Sequence, residues 1–335
     1  MLGDDHPSIT TNDSRLVPGN NSLIDASIRA VPALFVDAGA KAWRRYIEFF
    51  TAHIRNPNTR TAYHRAAVQF SRWCQRRRLA LHDLQPFLVA AYIEELGSRV
   101  ARPTVKQHLA GLRMLFDFLV IGQSLPTNPA ASVRGPKHVV SKGSTPVLSA
   151  AEARRLLASI DTSTIVGLRD RALIAVMIFS FARIGATLAM NIEDYYPQGK
   201  RMWFRLHEKG GKRHDVPTHH QAEEYLDHYL AAAGIVGQKR TPLFRSMDRR
   251  KQLTDDRLDR REALAMIKRR ARRARLPSSI CCHTFRATGI TVYLSRGGLL
   301  EHAQALAAHE SPRTTKLYDR TGDHVSLDEI ERIVI

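Results

Sequence analysis

His283-Thr284-Phe285-Arg286, followed downstream by His309-Glu310-Ser311-Pro312-Arg313-Thr314-Thr315-Lys316-Leu317-Tyr318, is the stretch on which the reading of this chain turns. His283 and Arg286 are three apart, so a helix would put them on one face. Tyr318 follows His309 by nine residues. Upstream, Arg183 closes the run Phe-Ala-Arg-Ile-Gly after an apolar stretch, and Lys209 sits in the turn Lys209-Gly210-Gly211-Lys212 between two alternating segments.

Taken singly, each residue has an ordinary explanation. An arginine at the end of an apolar helix usually satisfies terminal carbonyls. A lysine in a Gly-Gly turn is usually solvated. A tyrosine between helices is more often a packed aromatic. Together, two arginines, a lysine, two histidines and a tyrosine form a set with no acidic member, and a phosphodiester has the matching needs. Two guanidiniums can clamp nonbridging oxygens. A tyrosine oxygen can attack phosphorus and hold a covalent intermediate, while histidine and lysine move protons. Charge on a pentacoordinate phosphorus can be stabilised by arginines without a divalent metal.

Composition agrees with a polyanionic partner. The 335 residues carry 51 Lys+Arg against 32 Asp+Glu, a formal charge of +19, and so basic a chain favours nucleic acid. With 44% hydrophobic and 25% charged residues, the chain can bury a real core. The three cysteines, Cys74, Cys281 and Cys282, make neither a disulfide framework nor a metal knuckle. No run is long and apolar enough for a membrane span, and the N-terminus lacks a signal-peptide core. A cytoplasmic protein without metal or cofactor is the expectation.

Periodicity divides the chain in two. Residues 1–30 read as a flexible tail. Helical stripes then follow, with Phe35, Trp43, Tyr46 and Phe50 on the first, Tyr63, Ala67, Phe70 and Cys74 on the next, and Val105, Leu109, Leu112, Phe116 and Leu119 on the last. This bundle occupies 31–138. A basic linker, 139–147, leads to a mixed domain over 148–322 whose first helix is announced by the capping-box spacing of Ser149 and Glu152. There the pattern predicts an apolar helix over 168–182, strands over 202–206 and 214–217, and helices over 221–233, 259–275, 284–296 and 300–308. Leu327, Ile330, Ile333 and Val334 mark an amphipathic helix in 323–335. The fold class is mainly α with a small antiparallel β-sheet.

These residues resemble the tyrosine recombinase, or phage integrase, family of site-specific recombinases. Arg169-Asp-Arg-Ala-Leu173 leading to Ala182-Arg183-Ile184 is similar to the family's first-arginine box, residues 209–217 to its hairpin lysine box, and residues 283–286 to its His-x-x-Arg box. The resemblance implies a helical core-type DNA-binding domain followed by a mixed α/β catalytic domain. It implies that Arg183 and Arg286 bind the scissile phosphate, Lys209 protonates the leaving 5′-hydroxyl, His283 transfers protons, His309 supports phosphate and nucleophile, and Tyr318 forms a 3′-phosphotyrosyl bond. Neither ATP, cofactor nor metal is needed.

The implied partners are double-stranded DNA and further copies of the chain, as a tetramer on two sites, with the C-terminal helix docked on a neighbouring protomer. Integration or excision of a mobile element is the expected use. Two positions depart from the family pattern: Ala186 stands where many relatives have Glu, and Ala308 where many have Gly. The rival readings are a catalytically inactive DNA-binding or regulatory protein of the same fold and a type IB topoisomerase-like enzyme. Expected DNA contacts are Arg60, His64, Arg72, Lys106 and Arg113 in the first domain and Lys268, Arg269 and Arg272 in the basic run 268–275.

Overall fold

The computed structural model describes residues 31–138, 140, 143–208, 211–320 and 331. The tail 1–30, Lys209 and, apart from Glu331, the helix expected in 323–335 lie outside the described residues. The chain forms two compact units, Met1–Val139 and Val140–Ile335.

The first unit is helical. Helices α1 (Ala33–Val36) and α2 (Ala40–Glu48) run into a single π turn (Phe49–His53), then α3 (Pro57–Arg76), α4 (Pro86–Gly97) and α5 (Arg102–Ile121). Asn56-Pro57 starts α3 rather than merely breaking the chain: the Asn56 carboxamide oxygen accepts from the amides of Asn58 and Thr59 at 3.0 and 3.2 Å, and Pro57 takes the first helical position. Phe35, Tyr46, Phe49, Phe50, Phe70 and Phe116 fill the core.

The second unit carries the mixed structure. Helices α6 (Ala150–Ala158), α7 (Ile165–Phe179) and α8 (Ile184–Ala189) precede a three-stranded antiparallel sheet of β1 (Tyr195–Gln198), β2 (Arg201–His207) and β3 (Arg213–Pro217), in that order. Then come α9 (His220–Ala233), a ribbon of β4 (Arg245–Met247) with β5 (Leu253–Arg257), and helices α10 (Arg260–Arg273), α11 (Cys282–Ser295), α12 (Leu300–Leu306) and α13 (Pro312–Lys316). The Ser149–Glu152 capping box forms as its spacing predicts. From Ala172 to Met177 helix α7 is apolar on every side and buried, as a central helix must be.

Two expectations change. The helix predicted over 168–182 stops at Phe179, because the Ser180 hydroxyl donates to the Val176 carbonyl at 2.6 Å and Phe181 adopts φ +54°. Arg183 therefore does not end a helix; it is the N-cap of α8. The basic run 268–275, expected to meet DNA, is not uniformly exposed. Arg270 is buried, and its Nε and Nη2 donate to Asp170 Oδ2 at 3.0 and 2.7 Å. Arg169 donates through Nε and Nη2 to the other oxygen at 3.2 and 2.8 Å. Asp170 thus joins α7 to α10 through two guanidiniums.

Candidate active site

Four segments of the second unit bring the chemical residues together. Helix α11 opens at Cys282, so His283 and Arg286 lie in its first turns, on one side. Its approach to the end of α7 depends on Gly289, where a Cβ would stand 2.0 Å from the Ile178 carbonyl oxygen and 2.8 Å from the Phe181 ring; no other residue fits there. Helix α13 ends just before Tyr318, whose amide donates to the Thr315 carbonyl at 2.9 Å and whose carbonyl accepts from the Thr291 hydroxyl at 2.9 Å. The entering segment reaches the same place: the Gly143 amide donates to the Leu317 carbonyl at 3.0 Å, and Arg320 donates to the Thr145 carbonyl at 2.9 Å.

Arg286 is the centre of the site and is only 1% exposed. Its Nη1 donates to the Phe181 carbonyl and its Nη2 to the Ala307 carbonyl, while its buried Nε has no hydrogen-bond partner among the described residues. Carbonyls orient a guanidinium without neutralising it, so an orphaned Nε and an unneutralised charge await an anion. Burial and the nearby Arg183 push its pKa down to about 10, against the opposing pull of Tyr318 and Glu208. Both carbonyls flank backbone in the left-handed region: Phe181 has φ +54° and Ala308 φ +48°. The turn at 308 thus has the conformation that glycine adopts most readily, held here by an alanine.

The tyrosine lies beside both histidines. Tyr318 Oη is 2.8 Å from His283 Nε2, and the His309 ring stacks on the phenol ring at a centroid distance of 5.7 Å and 8° between planes. His309 Nδ1 is 2.8 Å from the Thr315 hydroxyl, which fixes the ring. Burial, then Arg286, Arg183 and His283, lower the His309 pKa to about 3. The His283 pKa is lowered by partial loss of solvent and by the same two arginines. Both imidazoles are therefore neutral near pH 7. A neutral imidazole with its proton on Nδ1 can accept the phenol proton at Nε2.

Arg183 is partly open, with 39% of its side chain exposed, and pairs with Glu208 through Nη1 at 2.5 Å. The expected set contains no carboxylate; the structure adds Glu208, which sequence reasoning missed although it directly precedes Lys209. Lys209 itself lies outside the described residues. Among the described residues no group of three or more His, Cys, Asp or Glu is placed to hold a metal.

The expected DNA contacts differ in availability. Arg60 donates through Nε and Nη2 to the Ile54 carbonyl at 3.2 and 3.0 Å, and Arg113 donates to the carbonyls of Ala130 and Val133. The half-buried His64 packs edge-on against Phe50, 5.5 Å between centroids. Lys268 is half-buried and donates to the Ser278 carbonyl. Arg72, Lys106, Arg269 and Arg272 are exposed.

Known proteins resemble this sequence and share its fold. The phage integrase family matches residues 146–324, and the N-terminal SAM-like domain of phage integrases matches residues 44–122. The tyrosine recombinase XerC of Pelobacter propionicus is 27% identical over 297 residues, covering 88% of this chain and 92% of that protein. The structure of the XerH site-specific recombinase bound to palindromic difH, a post-cleavage complex, superposes with a TM-score of 0.67 at 18% identity over 89% of this chain and 85% of that one. A lambda integrase tetramer bound to a Holliday junction gives a TM-score of 0.61 at 17% identity, covering 84% of this chain and 78% of that one.

Proposed function

Because the chain belongs to the phage integrase family and is a tyrosine site-specific recombinase, we propose that it cuts and rejoins DNA strands through Tyr318. The phenol oxygen attacks the scissile phosphorus as His283 accepts its proton. The bond from phosphorus to the 5′-oxygen breaks, the 5′-hydroxyl leaves protonated, with Lys209 as the donor, and the 3′-phosphate stays on the tyrosine. Attack by the 5′-hydroxyl of a partner strand reverses the sequence and restores a phosphodiester. One bond is exchanged for another of the same kind at each step, so no ATP is consumed, and the two arginines do the electrostatic work that a metal would otherwise do. Arg183 and Arg286 stabilise the charge that builds on the nonbridging oxygens.

The observation that carries this reading is the placement of Tyr318 within hydrogen-bond reach of neutral His283 and beside Arg286, to which no carboxylate is bonded among the described residues. A protein that only binds DNA has no use for a phenol held against a base. The test is covalent trapping without divalent metal on a nicked duplex carrying the candidate site. Wild type should give a protein–DNA band on a denaturing gel, and Tyr318→Phe should not. A duplex that is bound but never captured would favour the non-catalytic reading, and relaxation of supercoils without exchange between two labelled sites would favour the topoisomerase.

The assembly we assign is a tetramer on two duplexes, with integration and excision of a mobile element as its use, and with the first unit and the exposed cations Arg72, Lys106, Arg269 and Arg272 gripping the DNA backbone. The amphipathic helix expected in 323–335 would dock on a neighbouring protomer. A cavity of about 920 Å³ lined by Leu157, Ile178, Phe181, Tyr225, Val292 and Leu306 supports this assignment, since it offers an apolar seat for the Leu327, Ile330, Ile333 and Val334 stripe.

A further inference from the structure

Glu208 brings a carboxylate into a pocket otherwise built from cations, and it sits there at a cost. Its side chain is 4% exposed, and a buried carboxylate is expensive to keep ionised unless paired. Such pairs seldom add stability over an apolar substitute, so the charge needs another reason. Its backbone is fixed, because the Glu208 amide donates to the Lys212 carbonyl at 2.8 Å and closes the β2–β3 hairpin. Its carboxylate accepts from Arg183 Nη1 at 2.5 Å. Among the described residues this is the one partner of the Arg183 guanidinium. Helix α8, whose N-cap is Arg183, has no charged residue of its own, and the position one turn on is the buried Ala186.

We infer that Glu208 is a positioning residue: it holds one corner of the Arg183 guanidinium so that the Nε–Nη2 edge is presented to the scissile phosphate. The inference rests on the reading above, in which Arg183 binds that phosphate. A guanidinium has five donors, and recognition of two oxygens in parallel uses one edge. With Nη1 committed to Glu208, the edge formed by Nε and Nη2 remains for substrate. A long side chain that is 39% exposed would otherwise sample many rotamers, and fixing it beforehand removes that cost from the reacting complex. Glu208 also offsets the mutual repulsion of Arg183 and Arg286 before an anion arrives, and it opposes the lowering of the Arg286 pKa.

The experiment compares single-turnover cleavage at saturating protein on two nicked duplexes carrying the candidate site, one with an ordinary scissile phosphate and one with a methylphosphonate. The methylphosphonate lacks one nonbridging charge, which relaxes the demand for two arginines. On the ordinary phosphate, Glu208→Ala should slow cleavage about tenfold or more with duplex affinity unchanged. Glu208→Gln retains an acceptor for Nη1 without the charge that offsets Arg183 and Arg286, and should cleave at a rate between those of wild type and Glu208→Ala. On the methylphosphonate, Arg183→Ala and the double variant Arg183→Ala/Glu208→Ala should cleave equally, because Glu208 acts through Arg183. Glu208→Met fills the same volume without an acceptor and carries the same expectation if the alanine variant does not fold.

A double variant slower than Arg183→Ala by the full Glu208→Ala factor would overturn the inference. So would a Glu208→Ala defect confined to duplex binding. If Arg183→Ala cleaved the ordinary phosphate like wild type, the assignment of Arg183 to the phosphate would fail first, and the inference with it.

Discussion

Tyr318 Oη and His283 Nε2 lie 2.8 Å apart, although they are 35 residues apart in the chain and meet only where the segment after α13 packs on α11. The phenol is buried and the imidazole is held neutral by reduced solvation and two arginines. The tyrosine therefore has a proton acceptor before DNA arrives. His283→Ala should slow cleavage by about 100-fold, the usual size of a general-base effect, with duplex affinity retained. A single-turnover time course beside a gel-shift titration checks both. Because the folded pKa is lowered, His283 stays neutral to below the ordinary histidine value, and the acid limb of the cleavage profile should fall below about pH 6.5.

His309 links pH to stability. Its pKa, lowered to about 3 in the fold, returns to the ordinary histidine value on unfolding. Between those two values the unfolded chain binds more protons, so stability rises with pH in that window and is lost as pH falls. The native state should lose up to about 1.4 kcal/mol per pH unit from this group as the pH drops below 6.5. Thermal melts of wild type and His309→Asn across pH 4.5–7.5 should show a shallower acid slope in the variant.

Ala308 occupies a backbone position with φ +48°, which costs an L-residue about 1–2 kcal/mol. Ala308→Gly should leave stability unchanged or raise it by up to about 1 kcal/mol, since glycine relieves this strain while adding unfolded-state entropy. Ala303→Gly, within α12, should instead cost about 1 kcal/mol. Urea midpoints of the two variants distinguish the cases.

Asp170 is fully buried between Arg169 and Arg270. Asp170→Ala would strand two guanidiniums, and losing one partner of a buried ion pair typically costs about 3–5 kcal/mol. The variant should unfold at markedly lower denaturant or fail to accumulate as soluble protein. Arg272→Ala, on the exposed side of the same helix, should not change the midpoint but should weaken duplex binding and lower its salt slope by about one.

Removing residues 325–335 should leave binding to a single site unchanged and weaken assembly of two sites into one complex. Analytical ultracentrifugation with one-site and two-site DNA reads this directly. Unchanged pairing of sites would overturn the docking of residues 323–335 on a neighbouring protomer.

Much of this architecture is legible in local pattern. The stripes on α3 and α5, the capping box of α6 and the alternation in β2 report burial at a fixed period, and a period survives in one dimension. The His-x-x-Arg spacing and the nine-residue step from His309 to Tyr318 are also legible, because spacing survives in one dimension. What local pattern withholds is everything set by partners distant in the chain. Strands β1, β4 and β5 have charged or irregular sequences, so only their pairing makes them strands. Arg270 looks like its exposed neighbours on α10 until Asp170 meets it 100 residues away. Arg60 and Arg113 resemble free phosphate contacts, yet carbonyls that only the folded bundle brings near take up their donors. Glu208 gives no periodic or motif signal, because its importance lies in where the hairpin places it relative to Arg183. The chemistry on offer was written in residue types and spacings; which cations remain free, and which carboxylate aims them, followed from packing, because burial and pairing are properties of neighbours in space.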